Sequence, residues 1–167
     1  LEAFLETIEV LSTCRNIKLI IKFRANETFS FKSLKVLLGN LPDNVSLASD
    51  APFDYFLALS NLLMSFSSTT IEEALINDTP VLLYGGKGRY SHIPTEPFKL
   101  GKTDDILTPV TFVDNRESLA DYFKVLDKNF DKFIDHQFDF SRYRLKDSIR
   151  VLDWIDQKSI FNEERSI

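Results

Sequence analysis

The stretch SNLLMSFSSTTIEEALINDTPVLLY, residues 60–84, decides how this chain folds. Its first part, NLLMSF, is an apolar run of strand length. TTIEEALIN then places Ile71, Ala74 and Leu75 at the i, i+3, i+4 spacing of a helix with one buried stripe, and PVLLY returns to a short apolar run. A strand, a helix and a strand in such quick succession form a crossover unit. The helix carries the chain back to its starting edge, so the two strands pair in parallel.

The same rhythm extends in both directions. Upstream, LEAFLETIEVLSTC sets Leu1, Phe4, Leu5, Ile8 and Leu11 at helical spacing, and NIKLIIKF follows as a buried strand. FKSLKVLLG carries Phe31, Leu34, Leu37 and Leu38 as a helical stripe, stopped by Gly39 with Pro42 beyond it. VSLAS is the next strand and PFDYFLALS a short helix. Downstream, the polar loop GGKGRYSHIPTEPFKLGKTDD precedes the strand PVTFV and the helix ESLADYFKVLDKN. YRLKDSIRVLDWI closes the chain as an amphipathic helix with Leu145, Ile149, Leu152 and Ile155 on its apolar stripe. This alternation predicts an α/β protein: a three-layer, doubly wound, mostly parallel sheet of Rossmann-like type with helices on both faces. No linker interrupts the chain, so residues 1–167 read as one domain.

Composition narrows the function classes. A chain of 167 residues, 44% hydrophobic and 27% charged, can bury a core of useful size. A net charge of -5 and the absence of a basic block argue against nucleic acid as a partner. No apolar run approaches the roughly 18 residues of a membrane span. The one cysteine, Cys14, excludes an internal disulfide framework and suits reducing surroundings; its helical context suggests a packed thiol rather than a nucleophile. No His/Asp/Glu cluster has metal-ligand spacing.

The hydroxyls that open the central helix carry the functional reading. Ser67, Ser68, Thr69 and Thr70 surround a helix N-terminus, where unpaired N–H groups and the positive end of the dipole receive phosphate. Glu73 lies about 200° around the helix from Ile71, away from the sheet, where a carboxylate can accept hydrogen bonds from a ribose diol. The same residues also fit a ligand-free reading: Thr69 with Glu72, or Thr70 with Glu73, satisfies the S/T-x-x-E capping box.

Residues 60–84 resemble the C-terminal, donor-binding half of a GT-B glycosyltransferase. That family shows a strand, a small or hydroxylated turn, a helix with Glu-Ala-Leu, and a G-x-P-V step into the next strand. Here Asp78 and Thr79 stand where small residues are usual. The resemblance implies that Ser68, Thr69 and Thr70 hold the diphosphate of a nucleotide-sugar donor and Glu73 its ribose. A basic residue at the end of an earlier strand is also usual, and Arg24 in IIKFRAN would stabilise the leaving diphosphate, with a surface ion pair to Glu27 as the alternative. Phe53 would stack on the base near Ala51, or else pack its own helix. Lys87 or Arg89 would reach the donor, although YGGKGRY lacks P-loop spacing. His92 reads as a surface residue or an acid-base group, and His136, in a helical stretch, as structural.

Further implications follow from the family. The donor is substrate, no cofactor or metal takes part, and a preceding N-terminal Rossmann domain completes the protein and supplies the catalytic base. The location is cytoplasmic, with peripheral attachment at the inner membrane face left open. A 2-epimerase or polyol-phosphate transferase domain of the same fold, or an α/β interaction module without chemistry, remains an alternative.

Overall fold

A computed structural model of the chain describes residues 2–22, 30–48, 51–65, 68–85, 93, 95–99 and 106–143. In chain order the elements are α1 (Glu2–Leu11), β1 (Leu19–Lys22), α2 (Phe31–Leu38), β2 (Val45–Ala48), α3 (Phe53–Ala58), β3 (Leu63–Ser65), α4 (Ser68–Ile76), β4 (Val81–Tyr84), β5 (Glu96–Pro97), β6 (Val110–Val113), α5 (Arg116–Lys128) and α6 (Phe130–Asp135). Every ladder is parallel, as the crossover pattern requires. The strands form two small sheets, ordered β2-β1 and β3-β4-β6-β5. The fold is α/β with parallel sheets flanked by helices, of the Rossmann-like kind.

β4 shows why the architecture has three layers. All four of its residues are buried, and they alternate between two cores. Leu82 and Tyr84 join Leu11, Val113, Leu119 and Tyr122 in a cluster with α1 and α5, whereas Val81 and Leu83 join Leu57, Ile71, Leu75 and Val110 in a cluster with α3 and α4. A strand covered on both faces has no place for a polar side chain, hence the unbroken VLLY.

Two polar clamps fix the turn between α1 and β1. The Asn44 side-chain amide donates to the carbonyls of Leu11, Cys14 and Ile17 at 2.8, 3.2 and 3.1 Å. The Asp127 carboxylate of α5 accepts from the main-chain N–H groups of Arg15 and Asn16. The Asn44 bonds satisfy the last carbonyl of α1 and two carbonyls of the turn beyond it, and the Asp127 bonds satisfy N–H groups of the same turn. Asn44 immediately precedes β2, so α1 ends at the amino edge of the strands. Midway along α1, Glu6 accepts a hydrogen bond from the Tyr84 hydroxyl at the carboxyl end of β4, so α1 runs antiparallel to the strands it covers.

Several local expectations need correction. Cys14 lies beyond the end of α1 in the clamped turn, half-buried; burial and the nearby Asp127 carboxylate push its thiol upward. Leu37, expected on a buried stripe, is exposed, and Leu34 is the buried residue of α2. Gly39 does stop α2, at φ 62°, a backbone conformation glycine adopts freely. The helix expected to end near Asn129 is followed by a second, α6. His136 is not inside a helix: it terminates α6 in extended conformation and meets the Phe138 ring edge-on at 4.6 Å. The polar loop contains the short strand β5, paired to β6. The expected closing helix with Leu145, Ile149, Leu152 and Ile155 lies outside the described residues. Among the described residues, no helix is long and apolar enough to cross a membrane.

Candidate functional site

Strand order locates the candidate site. From β1 the chain moves to β2 in one sheet and then through β3, β4 and β6 in the other, and because β1 and β3 line a shared cleft the two progressions lead away from it in opposite directions. The direction reverses between β1 and β3, and in open α/β sheets the crevice outside the carboxyl ends of the strands at such a reversal is where ligands bind. α4 leaves the carboxyl end of β3 at this place, so its hydroxylated first turn stands at the mouth of the crevice.

α4 begins at Ser68, which makes Thr69 and Thr70 the second and third residues of the helix rather than its N-cap. Neither proposed capping box is in register with this start, and Ser67, adjacent to the helix, lies outside the described residues. Thr70 is half-buried, its hydroxyl 2.5 Å from that of Ser65, the last residue of β3. This contact ties the first turn of the helix to the strand end. Thr69 is exposed beside it. The backbone of Ser68 begins the helix, so its N–H belongs to the unpaired set at the mouth.

Glu73 is exposed on the face of α4 opposite the buried Ile71, Ala74 and Leu75. Its carboxylate accepts no hydrogen bond among the described residues. Its pKa is raised, chiefly by partial burial and secondarily by the Asp54 carboxylate on α3. Asp54 was not foreseen in the sequence, where only its place in a short helix was visible. α3 thus lies between two polar ends: Asp54 faces Glu73, and the Lys22 ammonium at the end of β1 sits 5.8 Å from the centre of the Phe56 ring. Phe53 is half-buried and packs against the cluster of Leu57 and Ile71, which is the helix-packing alternative; it also lines the cleft between β1 and β3.

Comparison with known proteins gives no match to a family model, a curated protein or a solved structure. Arg24, Ser67, Lys87, Arg89 and His92 lie outside the described residues. The structure brings together the helix start at Ser68, Thr69, Thr70, Glu73 and the unforeseen Asp54. Among the described residues there is no group of three His, Cys, Asp or Glu side chains that could hold a metal ion.

The end of α4 explains one departure in the sequence. The Thr79 N–H bonds back to the Ala74 carbonyl at 2.9 Å and the Asp78 N–H approaches the Leu75 carbonyl, the pattern of a helix closed by a left-handed residue. Asp78 is that residue, at φ 57°. Glycine ordinarily fills such a position, and aspartate is among the few other residues that tolerate it.

Proposed function

We propose that this chain is a nucleotide-sugar donor-binding domain of a GT-B type glycosyltransferase, building a surface polysaccharide or glycolipid. The observation that carries the reading is the position of the hydroxylated α4 start at the reversal of strand order, with Glu73 one turn along the same helix. The helix N–H groups and the hydroxyl of Thr69 would receive the diphosphate, with Ser67 and Ser68 contributing beside them. Glu73 would take the ribose hydroxyls. Two carboxylates, Glu73 and Asp54, repel phosphate from the side of the helix, so the anion is confined to its tip and the sugar to its flank. The left-handed Asp78 adds support, because it stands at the glycine of the G-x-P-V step that the family uses to turn from this helix into the next strand.

In this reading the domain positions the donor and Arg24 offsets the charge that grows on the departing diphosphate. The catalytic base and the acceptor site belong to a partner Rossmann domain of the same protein. The donor is consumed as substrate, with no metal or cofactor.

The test is a titration of UDP, GDP and CMP into the isotope-labelled full-length protein, following main-chain amides. Saturable shifts centred on Thr69, Glu73 and Arg24 are expected for at least one nucleotide. Silence at millimolar concentration with all three refutes the proposal and favours an interaction module, in which the hydroxyl run serves the helix alone.

A further inference from the structure

The two sheets face one another across a cleft of about 440 Å³. Leu19, Ile20 and Lys22 of β1 line one side, Leu63 and Met64 of β3 the other, and Leu11 and Phe123 contribute to its lining. The cleft opens to solvent and is wide enough to accept an extended segment. Among the described residues no ladder joins β1 to β3.

Hydrogen-bond phase shows that both walls are strand edges. The Leu19 N–H bonds to the Asn44 carbonyl and the Leu63 N–H to the Pro80 carbonyl, so these residues turn their main-chain groups toward β2 and β4. In a parallel strand alternate residues bond to opposite sides. Ile20 and Met64 therefore direct their N–H and C=O groups into the cleft from its two walls. Ile20, in the middle of a strand, is 41% exposed. Two open parallel edges confronting each other call for one extended segment able to pair with both.

We propose that the cleft is the seat of a further parallel strand, contributed by the residues that lead into α1. Handedness and direction identify the source. The crossover from β3 to β4 carries α4 on one face; a crossover of the same hand running the opposite way, from the cleft to β1, carries its helix on the other face. α1 occupies that other face, packed in one core with α5, and feeds β1. It also starts at the carboxyl edge, where a strand seated in the cleft would deliver the chain. With the strand in place the order becomes β2-β1-cleft strand-β3-β4-β6-β5, one continuous sheet. The inference does not depend on the nucleotide reading.

The test uses the full-length protein, labelled for NMR, with cross-strand Hα–HN contacts and amide exchange as readouts. One segment preceding Leu1 is expected to contact both β1 and β3, and the amides of Ile20 and Met64 to be protected on the order of a thousandfold. Direct pairing of β1 with β3 overturns the proposal. So does occupation by residues 144–167 or by a second molecule, and so do Ile20 and Met64 amides exchanging at the rate of exposed groups.

Discussion

Glu73→Ala separates a binding role from a structural one. The carboxylate is exposed and accepts no hydrogen bond among the described residues, so its removal changes stability by no more than about 0.5 kcal/mol, or roughly 1–2 °C in Tm. If it accepts two ribose hydroxyls, the loss of charged hydrogen bonds costs roughly 1.5–3 kcal/mol of binding, about 10- to 150-fold in Kd. Calorimetric titration of the nucleotide that gives amide shifts measures the second quantity and differential scanning calorimetry the first. Protonation supplies a further signature. Burial and then Asp54 raise the Glu73 pKa above its ordinary 4.5, so the folded protein binds this proton more readily than the unfolded chain does. That contribution to stability is therefore gained as pH falls through the raised value and lost as pH rises, the reverse of a salt-bridged carboxylate. Nucleotide affinity needs the ionised form and falls on acidification through the same window. Glu73→Gln keeps one acceptor, loses affinity by an intermediate factor and abolishes the pH dependence. A Kd within twofold of wild type for both variants, or a Tm that falls by many degrees while affinity holds, refutes the reasoning.

Other outcomes test the frame around the site. Asn44→Ala removes the donor to three carbonyls and costs about 2–3 kcal/mol by urea unfolding; Asn44→Asp, which cannot donate, is at least as damaging. Asp78→Val forces a β-branched residue to φ 57° and costs about 1–2 kcal/mol by the same measure. Cys14, with its thiol pushed up by burial and by Asp127, reacts with iodoacetamide at pH 8 more slowly than a free cysteine, and Asp127→Asn quickens it.

The elements that sequence revealed are those whose side chains meet a core. Ile71, Ala74 and Leu75 are legible as a buried stripe because helical period and burial coincide, and VLLY is legible because both its faces are covered. β5 is not legible: Glu96 and Pro97 pair through the main chain, and neither residue type signals a strand. The division between α5 and α6 hides in a run with no glycine or proline to mark it, where the Asn129 amide turns back to the Val125 carbonyl. At the site, helix phase correctly turned Glu73 outward. The start of α4 at Ser68 was missed, because Ser67 through Thr70 are all acceptable first residues and local chemistry does not choose among them. Asp54 was missed because its meeting with Glu73 depends on how α3 crosses the sheet, which no local spacing encodes.

The Asn44 clamp has a consequence for how the molecule comes apart. One side-chain amide joins carbonyls at positions 11, 14 and 17 to the residue just before β2, closing residues 11–44 into a ring held without a covalent bond. A single protease cut between residues 22 and 44 leaves two fragments that still share the clamp, the β1–β2 ladder and the core of α1 with α5. Such a nicked protein runs as one species on a sizing column and as two on a denaturing gel, and Asn44→Ala weakens the hold of one piece on the other.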